Sequence, residues 1–200
     1  MTSNNADTEH CQRGREQMSE EILIRQGAPT LAGIKTGSLF PCPCEDREDL
    51  LTDIRRLNRR LLPKGLCLLP IRFLAGQALL YLYRPAELRR DLRDARVSEL
   101  LRQAGYEDES CARCVARLAC RFRESGEFPH KVGLFLSYPP EDVKGFIDHR
   151  ANDFKCAGLW KVYGDEEKAR SLFTKYRKCT EIYSALWQSG SRLEQHAVAV

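Results

Sequence analysis

Between residues 46 and 62 the apolar positions recur with helical spacing. Leu50, Leu51, Ile54, Leu57, Leu61 and Leu62 share one face, and Arg55, Arg56, Arg59 and Arg60 lie away from its centre. Asp46, Glu48 and Asp49 open the stretch and arginines close it, an order that suits the helix dipole; Pro63 and Gly65 stop it. Two apolar runs follow, Leu66 to Phe73 and Ala78 to Tyr83, around Ala75-Gly76-Gln77, and they predict a β-hairpin. Helical sequence resumes at Pro85 and continues to about Gln103, with Gly105 as its terminator. Another helix is expected from Glu109 to Glu124, closed by Gly126. Upstream, Ser19-Glu20-Glu21 reads as an N-cap with first-turn acids, leading a short helix that stops at Gly27. Pro29 to Ile34 reads as a second helical turn, and Ser38-Leu39-Phe40 as a short strand ended by Pro41 and Pro43.

The carboxy-terminal part alternates differently. Val132 to Ser137 reads as a buried strand that leaves through Pro139-Pro140 into a helix reaching Arg150. Lys155 to Tyr163 reads as a second strand, and Asp165 to about Gln188 as a long helix. Leu172, Phe173, Tyr176, Ile182, Tyr183, Leu186 and Trp187 form that helix's core-facing stripe. Strand, helix, strand predicts a parallel pair with a right-handed crossover. The expected fold class is therefore α/β (or α+β): one domain over residues 19–200, with a mixed sheet of about four or five strands under helices. Residues 1–18 are polar and mixed in charge, and are expected to form a disordered tail.

Lengths bring distant residues together on this scheme. The strand from Cys156 to Tyr163 covers about 23 Å, and the helix from Asp165 to Cys179 runs back about 21 Å. His130, Cys156 and Cys179 would then share the amino-terminal edge of the parallel pair. A Cys–His pair suits a nucleophilic thiolate, and two Cys with one His suit zinc or iron. The bland alternative is two core cysteines and a turn histidine, and open α/β sheets usually bind ligands at the opposite edge. That edge would hold Ser137, Tyr138, Lys161 and Tyr163. Its helices open with Glu141-Asp142 and Asp165-Glu166-Glu167, which repel phosphate, and no Gly-rich nucleotide loop occurs in the chain. The expectation is a pocket for an uncharged or aromatic ligand, with no nucleotide cofactor.

Composition narrows the function classes. The chain has nine cysteines, an odd number, and no signal-like apolar segment, so reduced thiols in a cytoplasm are expected. The longest apolar stretch, Leu66 to Tyr83, is broken by Pro70, Arg72, Gly76 and Gln77, so no membrane span is expected. Cys111-Ala-Arg-Cys114 lacks a second pair at zinc spacing and lies beside Asp108-Glu109, which disfavours thiolates. The net charge of +4 hides a basic middle, residues 55–123, with an excess of nine positive charges. It offers a surface for an acidic protein partner. Interleaved acids make solvated helix faces the plainer reading, and the absence of interleaved aromatics argues against nucleic acid.

Five segments carry a resemblance: "ILIRQGAPTLAGIKTGSLF", "LNRRLLPKGLCLLPIR", "ALLYLYRP", "EFPHKVGLFLSYPPEDVKGFI" and "CAGLWKVYGDEEKARSLFTKYRKCTEIY". In this order, over about residues 19–195, the chain resembles a bacterial family of uncharacterised proteins, domain of unknown function 3793. The resemblance implies no established activity and no catalytic residues. The family's pattern carries Glu after the histidine and Gly before the tyrosine, where this chain has Lys131 and Ser137. The expected function is that of a cytoplasmic, non-enzymatic binding or regulatory module, tied to redox or metal physiology on cysteine content alone. The alternative is a thiol- or metal-dependent enzyme using His130, Cys156 and Cys179.

Overall fold

The computed structural model describes residues 20–106, 110–124 and 129–199. The expected cap at Ser19, the tail 1–18, the helix start at Glu109 and the stop at Gly126 lie outside the described residues.

Helix α1 covers 20–31. It does not stop at Gly27. A Cβ there would lie 2.7 Å from Leu82 Cδ2, so this glycine serves a close helix–sheet approach instead of a terminus. Strand β1 (Gly37–Pro43) follows, then α2 (Arg47–Leu61). Asp46 caps α2, accepting hydrogen bonds from the Glu48 and Asp49 amides at 2.7 and 2.9 Å, and Leu50, Ile54, Leu57 and Leu61 are its buried stripe. The hairpin is β2 (Cys67–Leu74) and β3 (Gln77–Tyr83), turning at Gly76 with φ +72°. Helices α3 (Pro85–Asp91), α4 (Ala95–Arg102) and α5 (Cys111–Glu124) follow. A 3-10 helix (His130–Leu136), α6 (Pro140–Asp148), two-residue strands β4 (Cys156–Ala157) and β5 (Lys161–Val162), α7 (Glu166–Gln188) and α8 (Leu193–His196) complete the order.

The main sheet is antiparallel, in the order β1-β3-β2. Alternate residues of β3 serve opposite faces. Ala78, Leu80 and Leu82 pack with α1, α2 and α8, while Tyr81 and Tyr83 pack with α3, α4, α5 and the 3-10 helix. A central strand covered on both sides is why this segment is apolar without alternation. Pro70 and an adjacent register shift interrupt β2.

The expected mixed sheet of four or five strands with a parallel strand–helix–strand unit is overturned. Among the described residues there are two antiparallel sheets, of three and two strands. Val132 to Leu136 lies in a 3-10 helix with all five residues buried. A short, wholly apolar run carries no periodicity to separate strand from helix. The free edge of β1 also resists extension, because Pro41 and Pro43 offer no amide to a further strand. The segment docks by other means: the Tyr81 hydroxyl donates to the Phe135 carbonyl at 2.7 Å. The second expected strand, 155–163, is a ribbon that reverses around Gly158, its strands paired Cys156 with Val162 and Ala157 with Lys161. Helix α7 is as expected in extent. Phe173 and Tyr176 are buried, but Ile182 and Leu186 of the stripe are exposed.

One buried cation ties these parts together. Arg84 is 1% exposed, and among the described residues no carboxylate bonds its guanidinium. It donates to the Thr30 and Leu31 carbonyls at 2.8 and 2.7 Å, to Val198 at 2.8 Å and to Lys64 at 3.3 Å. Two of these acceptors are last-turn carbonyls of α1, which lack intrahelical donors and carry the negative end of the helix dipole. Arg84→Met keeps the buried stem but removes the guanidinium's bonds to four carbonyls, leaving Thr30 with only the Gly33 amide at 3.2 Å and Leu31 with only the Val198 amide at 3.1 Å among the described residues. It is expected to destabilise the chain by about 3 kcal/mol, read as a lower urea midpoint; an unchanged midpoint would contradict this role.

Candidate functional site: two cavities beside Tyr138

The ribbon β4–β5 has only two residue pairs, too few to hold a position alone. Asp142 holds it. This residue sits in the first turn of α6, after Pro139 and Pro140, and its side chain is buried at 2% exposure. Its carboxylate accepts hydrogen bonds from Trp160 Nε1 and from the Tyr163 and Gly164 amides, each at 2.7 Å. Two glycines permit the fit. A Cβ on Gly158 would lie 2.2 Å from the Phe173 ring, and one on Gly145 would lie 2.4 Å from Tyr163.

Docked this way, Trp160 lies against Tyr138 with ring centroids 4.7 Å apart and meets Phe173 edge-on at 4.5 Å. A cavity of about 380 Å³ opens between the 3-10 helix, α6 and the ribbon. Its walls include His130, Tyr138, Phe146, Trp160 and Lys161. The His130 and Phe146 rings are 5.1 Å apart. The Lys161 ammonium donates to the Ala151 carbonyl at 2.8 Å and lies 4.8 Å from the Phe154 ring centroid. Leu159 stands at the same cavity, 44% exposed.

A second cavity, of about 340 Å³, shares the Tyr138 wall. It is bounded by residues 33–36, by α3 and α4, and by Leu172 of α7. Lys35 enters it, its ammonium 5.6 Å from the Tyr138 ring centroid and 5.9 Å from that of Tyr176. Burial lowers the Lys35 amine to about 8. Next to it, Thr36 Oγ1 donates to Asp91 at 2.5 Å, and burial raises the Asp91 carboxyl. Ser137 closes the 3-10 helix with φ +60°, the left-handed conformation that glycine adopts most easily. Its hydroxyl accepts the Thr36 amide at 2.8 Å.

The expected residues therefore divide. Tyr138, Lys161 and His130 meet at the first cavity, and Ser137 lines the second. Tyr163 lines neither of these two, and stacks on His149 at 5.5 Å. His130, Cys156 and Cys179 do not converge. Cys156 lies beside Glu166 and Arg170 at the start of α7, whereas Cys179 is thirteen residues beyond Glu166, about 20 Å along the helix. The ribbon's reversal at Gly158 halves the length on which their meeting depended. Burial raises both thiols, the opposite of what a nucleophilic cysteine needs. Among the described residues no group of three or more His, Cys, Asp or Glu is placed to hold a metal ion. Cys111 and Cys114 lie on α5, the second buried in the core. Several arginines of the basic middle have intrachain carboxylate partners: Arg56 with Asp53, Arg60 with Glu20 and Glu194, Arg102 with Glu99. No helix among the described residues is long and apolar enough to cross a membrane.

A family model described as "Protein of unknown function (DUF3793)" matches residues 23–197. The chain belongs to this family. No curated protein and no solved structure matches it. The family match spans both cavities, Arg84 and Asp142.

Four residues of the site were not singled out by the sequence. Trp160 is one of only two tryptophans, which is a signal of sorts. Phe146 lies within a plain helical stretch. Asp142 has the appearance of an ordinary first-turn acid, and Lys35 of a loop lysine between Gly33 and Gly37.

The Lys35 environment fixes a pH dependence. Its folded-state amine titrates near 8, against 10.5 for the ordinary value. Between those limits the unfolded chain holds more protons at this site, so its contribution to stability rises with pH. Lys35→Met removes that term. The variant should be more stable than the parent at pH 7, with the advantage shrinking as the pH approaches 10. Paired urea titrations across that range measure it, and an advantage independent of pH would contradict the burial of the amine.

Proposed function

We propose that this protein is a small-molecule-binding module whose ligand is an uncharged aromatic or other planar compound, seated between α6 and the β4–β5 ribbon. The observation that carries the reading is the wall of rings. His130, Tyr138, Phe146 and Trp160 border one cavity of about 380 Å³, room for one or two fused rings. The Asp142 carboxylate already accepts three hydrogen bonds from the ribbon, which leaves a ligand little to bond there. Lys161 directs one of its N–H bonds to the Ala151 carbonyl. The polar groups here orient the walls, and the walls supply the contact. Leu159, half-exposed at the same place, gains cover when a ligand is present.

Indole and 2-naphthol, both uncharged at neutral pH, are suitable probes. Each is expected to give a saturable shift of the Trp160 indole N–H signal in nuclear magnetic resonance titrations. His130→Ala and Phe146→Ala each remove one ring from the wall and should weaken binding about fivefold, the worth of one ring–ring contact. The absence of any saturable shift in the native protein, or native affinity retained in both variants, would remove the reading.

A further inference from the structure

The second cavity holds a feature that aromatic binding does not use. Among the described residues, the Lys35 ammonium has no hydrogen bond and no ion pair. The carboxylates around it are otherwise occupied. Asp91 accepts the Thr36 hydroxyl, Asp94 pairs with Arg96 at 3.0 Å, and Glu87 pairs with Arg90 at 3.0 Å. Glu141, from α6, lies 3.5 Å from Arg96. The flanking groups are Tyr138, between the 3-10 helix and α6, and Tyr176 of α7, whose ring faces offer no proton acceptor as strong as a carboxylate. An amine placed so, inside a walled space of about 340 Å³, is arranged as a nucleophile and not as a structural cation.

We propose that Lys35 captures a small neutral aldehyde or ketone in this cavity as an imine. The lone pair of the neutral amine adds to the carbonyl carbon, and the C=O π pair moves to oxygen. A proton passes from nitrogen to that oxygen, giving the carbinolamine. Protonation of its hydroxyl and loss of water leave the C=N bond, so one water is released and nothing is oxidised or reduced. Asp91 lines the same cavity, and its raised carboxyl is a suitable partner for exchanging those protons. The ligand is a neutral carbonyl compound and not an organic anion, because the carboxylates of Glu87, Asp91, Asp94 and Glu141 outnumber the cations Lys35, Arg96 and Lys168 in the lining.

The test uses the full chain at pH 7.4 with propanal and sodium cyanoborohydride, which fixes an imine as a secondary amine, followed by peptide mass mapping. Lys35 should be propylated at least about tenfold faster than the other lysines, because a lowered amine pKa enlarges the reactive neutral fraction. The preference should vanish in urea. Lys35→Arg should abolish the dominant adduct; if that variant does not fold, the native-chain map still decides. Labelling of Lys35 no faster than the other lysines, or a preference that survives unfolding, would overturn the proposal.

Discussion

A single buried carboxylate determines whether this molecule has a site at all. Asp142 gathers three donors from a ribbon that makes only two strand pairs of its own. The bonds are charge-assisted and made away from water, where such bonds count for most. Among the described residues no arginine or lysine side chain bonds it; the charge rests on donors and on the amino-terminal turn of α6. Arg84 is its mirror image, a buried cation held by carbonyls at the carboxy-terminal end of α1. The two charges are never paired with each other. Each is stabilised by backbone groups that need a partner anyway, which avoids much of the cost of burying a charge. Arg84 joins α1, the carboxy-terminal segment and the hairpin, and Asp142 joins α6 to the ribbon.

From this follows the geometry of the two cavities. With the ribbon seated, Trp160 is pressed on one side by Tyr138 and on another by Phe173. Tyr138 becomes a partition, with the ring-lined cavity on one side and Lys35 on the other. The first space suits a ligand held by contact area. The second carries an amine weakened as a base by burial, the more reactive for it at neutral pH.

The sequence was most legible where periodicity was long. The 46–62 helix and the helix from 165 match their patterns, because burial of one face leaves a regular record, and the hairpin shows as two apolar runs around Gly76. Legibility ended at short apolar runs. Val132 to Leu136 is buried on every side, so strand and 3-10 helix leave the same residues. Residues 155–163 have glycine at the point of reversal, a weak signal beside the apolar run that suggested one strand. That error removed the parallel pair, and with it the meeting of His130, Cys156 and Cys179. Tyr138 and Lys161, expected at one edge, do share a cavity wall. His130, expected at the opposite edge, joins them because a 3-10 helix covers the steps from 130 to 138 in about 16 Å, where a strand would need about 26 Å. Lys35 and Asp142 were illegible for a different reason. Their significance lies in what surrounds them, and residue type alone does not record burial.

The most direct measurement of the central claim is hydrogen exchange at three positions: the Tyr163 and Gly164 amides and the Trp160 indole. If Asp142 seats the ribbon, all three are protected in the native chain and lose protection together in Asp142→Ala, while β3 amides stay slow. Exchange at loop rates in the native chain, or protection that survives Asp142→Ala, would contradict it.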